Sequence, residues 1–325
     1  MRKAILLLLI LRVCLLHAIA QDVSFRFSDG IHDNVLKTSM EKRVSYLLTE
    51  INRAHTENRE LCLNNLFLTQ RAAQSLQQLW KNFHFCCNLQ QIEEKCLHDV
   101  NGYEIRGIAI TLTPMGNNYK GDINRELAIS FSPDQEITGV HMALASNVFN
   151  YIVNRGKDVT DTRRRLEILK FVEDYRSYYD EKNLEALRQV FSDDALIITG
   201  KVIMKRAMGD RQARLRSEIV YNKQNKEEYL SSLSRIFANN RFIKVKFDKI
   251  RVVRHPAKRN YYGVTLHQNW QSSNYSDDGY VFLLWEFNDD GTPPIIHVRT
   301  WQPEMIGNRQ IDNDEVFTEN DFFIP

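Results

Sequence analysis

Glycine and proline are scarce in this 325-residue chain, at 13 and 7. That scarcity excludes collagen-like repeats and Gly/Pro-rich disordered tracts, and no glycine-rich loop is present to cradle a phosphate. There is no G-x-S-x-G elbow to expose a serine nucleophile and no H-E-x-x-H pair to hold a catalytic zinc. Beyond the first twenty residues no apolar run is long enough to span a bilayer, so a chain that does not cross a membrane is expected. An excess of either charge is also missing: 43 Lys and Arg oppose 41 Asp and Glu. Arg2, Lys3 and Arg12 fall in the first twenty residues, which leaves 40 basic against 41 acidic side chains in the remainder. Binding to nucleic acid needs a basic footprint, so nucleic acid is not an expected partner. The clusters "RRR" at 163–165 and "KRAMGDRQARLR" at 205–216 have acids around them and read as solvated faces.

What is present begins with Arg2 and Lys3, the apolar stretch "AILLLLILRVCLLH", and an A-x-A site at Ala18-Ile19-Ala20. This is the layout of a cleaved secretory signal over 1–20, and it implies a secreted or periplasmic location. Four cysteines follow, Cys62, Cys86, Cys87 and Cys96, enough for two disulfides in any of three pairings. A direct Cys86–Cys87 bond is geometrically poor, so a bridge would use Cys62 or Cys96. His84 and His98 lie close by, but the spacing departs from the C-x2-4-C pairing of zinc sites. No metal and no other cofactor is expected.

The remaining 305 residues suit two domains, a smaller α+β domain over 21–157 and a second over 158–325. In the first, "TSME" at 38–41 reads as a capping box ahead of Val44, Leu47, Leu48 and Ile51 at helical spacing. A second helix fits 69–80. Strands fit 103–114 and 126–144 around a Ser-Pro-Asp turn, and a closing helix fits 146–156. The polar run 157–162 marks the boundary. In the second domain, Leu166, Leu169, Val172 and Tyr175 form a helical stripe. A break at "DEKN" and a short helix through Phe191 lead to "FSDDALI", whose aspartates read as a turn before a strand at Ala195–Thr199. After a polar insertion, 225–238 reads as a helix with Asn225 as N-cap. Strands fit 241–254, 259–270, 279–287 and 294–301, with turns at "HPAK", "SDDG" and "NDDG". The apolar alternation in "FIKVKFDKIRVV" changes phase at Asp248-Lys249, which is what a β-bulge produces. The fold class is α+β: three helices packed on a cone-shaped, curved, mostly antiparallel sheet, preceded by the smaller domain.

"FVEDYRSYYDEKNLEALRQVFSDDALI" (171–197) and "IIHVRTWQP" (295–303) resemble the opening and the last strand of the nuclear transport factor 2-like superfamily, which includes ketosteroid isomerase and polyketide cyclase. The resemblance covers roughly half of the chain after the signal. The layout of "LLTEINRAHTEN" (47–58) echoes "FVEDYRSYYDEK", so the first domain is either a degenerate second copy of the cone or an unrelated α+β domain. The chain as a whole resembles secreted proteins of Bacteroidota.

The fold does not fix the function. In "YYGVTLHQNW", Tyr262, Val264, Leu266 and Trp270 share one side and Thr265, His267 and Asn269 the other; in "IIHVRTW", His297, Arg299 and Trp301 share a face. The ligand-pocket candidates are Tyr175, Tyr178, His267, Trp285, Glu286, Arg299 and Trp301, an apolar cup suited to an anionic or aromatic ligand. An ordinary cross-strand pair of Glu286 with Arg299 is the competing reading. The leading expectation is a non-catalytic protein that binds a small molecule or a protein, with a homodimer through the first domain as an option. Alternatives are a small-molecule isomerase, dehydratase or cyclase using Glu286 or His267, and an oligomerisation module using the open sheet face. No residue is assigned as catalytic.

Overall fold

The computed structural model describes residues 22–99, 102–114, 122–144, 162–206, 215–288 and 292–322. The segments read above as a signal (1–20) and a closing helix (146–156), and most of the boundary run, lie outside them. The chain divides into two compact units, the first mainly residues 22–80, 84–113 and 123–140, the second mainly 141–322. No helix among the described residues is long and apolar enough to cross a membrane.

The first unit opens with a strand that periodicity did not predict, β1 (Ser24–Asp29), parallel to β3 (Gln91–Asp99). Helix α1 (Asn34–Glu57) starts ahead of the T-x-x-E box because the Asp33 side chain accepts from the Val35 and Leu36 amides. Its buried stripe is Met40, Val44, Leu47, Leu48 and Ile51, spaced as a helix demands. Helix α2 (Gln70–Asn82) runs into β2 (Phe83–Cys87), and β4 (Gly102–Pro114), β5 (Asn124–Phe131) and β6 (Ile137–Met142) complete the sheet in the order β1-β3-β4-β5-β6, with β2 on β4. The four cysteines, taken above as disulfide candidates, are all free thiols. Cys86 and Cys87 stand on β2 and Cys96 on β3, and these strands each pair with β4. Burial pushes the Cys87 thiol up to about 12, with Cys86 adding to the effect, and Cys96 up to about 11. His84 stacks on Trp80 at 4.4 Å.

The second unit places α3 (Thr162–Asp180), α4 (Leu184–Val190) and α5 (Lys226–Asn239) against a six-stranded sheet. The break between α3 and α4 is set by Lys182 in the left-handed region (φ 54°) and by Asn183, whose side chain caps the Ala186 amide. Asn225 and Glu228 form a reciprocal capping box on α5. The sheet order is β8-β7-β12-β11-β10-β9: Leu215–Gln224, Phe191–Arg206, Ile295–Pro303, Ser276–Glu286, Tyr261–Ser272 and Ile243–Arg254. Neighbours are antiparallel except β12 with β7, which is parallel. The fold class is therefore α+β with a curved, mixed sheet. β7 begins at Phe191, directly after α4, so Asp193 and Asp194 lie on a strand and not in a turn. "SDDG" likewise opens β11 instead of making a turn, and the polar insertion carries β8. The expected phase change is a bulge: the β9–β10 register shifts between Thr265 and His267, and Lys249 has φ 49°.

Bends of this kind give the sheet two distinct faces. The helix-covered face buries Leu169, Val172, Leu187, Leu230 and Leu233 against Ile197, Val245, Val264, Val281, Leu283 and Trp285. Each such side chain contributes roughly 1.5–3 kcal/mol of burial. On the opposite face Phe282, Leu284 and Val298 are covered by Phe317 and Phe322, and Tyr280 by Ile311 and Val316. Those covering residues belong to a C-terminal tail that follows the small hairpin β13–β14 (Met305–Ile306 and Arg309–Gln310).

Candidate functional site

Strand register decides which polar side chains meet. Leu283 pairs with Arg299 and Val281 with Trp301, so both β12 residues point to the helix-covered face with their apolar partners. A register shift between Ile296 and Val298 breaks the alternation in β12. His297 consequently leaves the face that Arg299 occupies and pairs with Glu286 at 2.8 Å. The expected Glu286–Arg299 pair is therefore replaced by Glu286–His297, because the bulge turns the two basic residues to opposite sides of the sheet.

Inside the cone the hydroxyls of Tyr175, Tyr179 and Tyr229 form a chain with two 2.7 Å bonds. Arg299 Nε donates to the Tyr175 hydroxyl at 3.0 Å, and its guanidinium lies 5.0 Å over the Tyr229 ring. Arg299 is 6% exposed, and the Asp277 carboxyl feels its charge. Burial works against its charge, yet Tyr229, Tyr175 and Tyr179 hold it protonated. Burial raises the Tyr179 and Tyr229 hydroxyls well above the usual phenol range. Aromatic rings take up the surrounding space. Trp285 stands edge-on to Tyr175 at 6.2 Å, Trp270 edge-on to Tyr179 at 5.8 Å, and Phe247 stacks with Tyr175 at 6.2 Å. Of the expected pocket residues, Tyr175, Trp285 and Arg299 thus meet in this filled interior, and half-buried Tyr178 and Trp301 pack at its edge. Tyr179, four residues after Tyr175 on α3, carries the contact expected of Tyr178.

Periodicity missed two further residues here, Asp277 and Tyr229. Asp277 sits opposite Trp270 at the start of β11, where an Asp-Asp-Gly run looks like a turn. Burial pushes its carboxyl up to about 6, Asp278 adds to this, and Tyr275 and Arg299 pull it back. Its Oδ1 is buried without a hydrogen-bond partner.

His267 and Glu286 lie on the other side of the sheet, away from the cone interior. His267 Nδ1 is 3.0 Å from Asp248 and Nε2 is 3.5 Å from Glu304. Close to the Glu286–His297 pair, a pocket of about 530 Å³ opens between the sheet and the C-terminal tail. Leu196, Ile198, Leu284 and Val298 form its floor, with Phe317, Phe322 and Tyr221 as walls. Asp194, Lys223, His297 and Asp321 supply polar groups around it. On β7, Asp194, Leu196 and Ile198 line this pocket, while Ala195 and Ile197 join the core on the opposite face. Ser192 donates to Asp194, and that bond first, with His297 adding, holds the Asp194 carboxyl below its ordinary range. Asp193 is paired with Lys226 at 2.8 Å. The tail wall is held by stacking of Phe322 on Phe282 at 5.5 Å and of Phe317 edge-on to Tyr221 at 5.3 Å. Gln302 also bonds both the Glu315 carbonyl (2.9 Å) and the Phe317 amide (2.8 Å).

Residues 216–297 match the family model described as the Cds6 C-terminal NTF2-like domain. Bd1075 of Bdellovibrio bacteriovorus is 15% identical over 52% of this chain and 47% of that one, with a TM-score of 0.33; the match thus spans about half the length of that relative. An NTF2-like protein of unknown function from Pseudomonas putida KT2440 is 9% identical over 47% of this chain and 96% of that one, with a TM-score of 0.33. A cystatin-like-fold protein of unknown function from Nostoc punctiforme is 9% identical over 45% and 94%, with a TM-score of 0.31. No curated protein matches the chain. The family-model match lies within the second unit and agrees with the resemblance carried by 171–197 and 295–303.

Proposed function

We propose that the chain is a secreted or periplasmic, non-catalytic binding protein whose NTF2-like unit takes a small ligand on the tail-covered face of its sheet. The observation that carries this reading is the open pocket of about 530 Å³ on that face, set against a cone interior occupied by aromatic rings and the tyrosine–arginine network. Ligand pockets span about 300–1,000 Å³ and combine an apolar lining with a few polar groups, which is the composition found here. An apolar body would lie on Leu196, Leu284 and Val298, with its polar end among Asp194, His297 and Lys223. Glu286 and His267, the two residues best placed by sequence to act as bases, are each engaged in ion pairs, which favours binding over catalysis. The secretory layout of residues 1–20 supports the location.

Leu196→Trp tests the site by filling the pocket from its floor. Native mass spectrometry of protein from its own source should show a co-purified small molecule that the variant loses. Equal retention by the variant would reject this pocket. A second reading, a small-molecule isomerase, dehydratase or cyclase, draws support from Asp277, whose carboxyl at about 6 is poised to accept a proton near neutral pH. Turnover abolished by Asp277→Asn with the fold intact would favour it.

A further inference from the structure

We propose that His267 is a proton-operated latch that fastens the C-terminal tail, and with it one wall of the pocket, to the sheet. The consequence for ligand access rests on the pocket reading above; the latch itself does not.

His267 is 8% exposed and lies between two carboxylates from different elements. Asp248 comes from β9 beside the bulge, and Glu304 is the residue that leads from β12 into the tail hairpin. An imidazolium has two N–H donors and serves both carboxylates; a neutral imidazole has one, and its other nitrogen turns a lone pair toward the remaining carboxylate. Nε2 has no hydrogen bond of good geometry, so its tie to Glu304 at 3.5 Å is electrostatic and depends on the proton. Every charged group facing the cluster can be named. Lys246 lies 3.5 Å from Asp248, and Lys249 lies 3.9 Å from Glu304 and 6.0 Å from the centre of the Tyr280 ring. The Tyr280 ring stands against the His267 ring at 5.3 Å.

Glu304 is the tail's anchor. Its amide donates to the Asp278 carbonyl at 3.1 Å, its carbonyl accepts from Ile311 at 2.9 Å, and its carboxylate accepts from the Gln310 side chain at 2.9 Å. Ile311 and Val316 close over Tyr280, so the ring that touches His267 also seats the tail. The hydrogen bond to Asp248 raises the proton affinity of His267 and burial opposes it, with the fields of Asp248 and Glu304 adding to the rise; the same bond holds Asp248 below its ordinary range. The sign follows. A raised histidine contributes stability that is fully present below its unfolded value near 6.5 and is lost as pH climbs through the folded value. The tail is held most firmly in mildly acidic solution and loosens on the alkaline side.

Hydrogen–deuterium exchange on the full chain between about pH 5.5 and 8.5, corrected for the chemical exchange rate, reads the latch directly. Protection of amides in 304–322 should fall roughly threefold or more across the His267 midpoint, measured by NMR on the ring protons of the same sample. In His267→Gln and in Glu304→Gln, which retains the fold if the histidine variant does not, the tail should stay loose at every pH. PH-independent protection in the wild-type chain, or a transition that survives in Glu304→Gln, would overturn the latch. Ligand loss in Leu196→Trp is scored separately, so a failed pocket and a failed latch give different results.

Discussion

Replacing Tyr179 by Phe removes one oxygen from the middle of the buried hydroxyl chain and leaves the ring contacts in place. Two bonds of 2.7 Å disappear. Tyr175 keeps its bond from Arg299, so its loss is about 1 kcal/mol. The Tyr229 hydroxyl loses its 2.7 Å partner but keeps an interaction with the Tyr175 hydroxyl, a further loss of about 1 kcal/mol. The expected cost is therefore about 1–3 kcal/mol. Urea denaturation followed by tryptophan fluorescence suits the measurement, because Trp270, Trp285 and Trp301 all lie in this unit. Tyr179→Phe combined with Tyr229→Phe should cost less than the two single changes added together, since the shared bond can be lost only once. A cost below about 0.5 kcal/mol would refute the reasoning. It would mean that water replaces the missing hydroxyl, so that the cone interior is open and wet, and the ligand site would then belong there instead of on the tail-covered face.

Lys244→Met should be among the most damaging single changes in the second unit. Lys244 and Asp180 pair at 2.7 Å, both nearly inaccessible, and an uncompensated buried carboxylate costs about 3–5 kcal/mol. Adding Asp180→Asn should recover part of that loss in thermal unfolding. Asp277 makes a pH prediction of opposite sign to that of a paired acid. Its folded value of about 6 exceeds its ordinary 3.8, so the folded state holds the extra proton and stability falls as pH rises between those values. Asp277→Asn should remove that fall, worth at most about 2–3 kcal/mol, and a wild-type stability that is flat over the window would contradict it.

Elements with a strong period were legible in the sequence. The α1 stripe, the capping box on α5 and the bulge at Lys249 all follow from local patterns that tertiary packing reinforces. Short acids misled in both places where two adjoin. Asp193-Asp194 and Asp277-Asp278 look like turn formers, yet each pair lies near the start of a strand; β10 pairs with Asp277 and Asp278, whereas Asp193 and Asp194 fall where the β7–β12 register shifts. Reading β7 only from Ala195 hid the fact that Asp194, Leu196 and Ile198 share a face, and with it the pocket. The β12 bulge had no signature either, because "IIHVRTW" alternates acceptably in either phase; the break arises from register against β11 and β7. Sequence placed His297, Arg299 and Trp301 together, and the structure separates the first from the other two. The tyrosine network required α3 and α5 to be juxtaposed, which no local window contains.

The parallel pairing of β12 with β7 bears on when this unit can form at all. Ile197 and Arg299 are register partners although about a hundred residues separate them, a loop whose closure entropy is met only after the last strand exists. Helices α3 to α5 and the β9–β11 meander can assemble locally, but the centre of the sheet remains unpaired until residues 295–303 have left the ribosome. A nascent chain therefore carries this unit incomplete throughout synthesis. Such a chain stays open along the middle of its sheet, and closes into a cone only once residues 295–303 are free to pair.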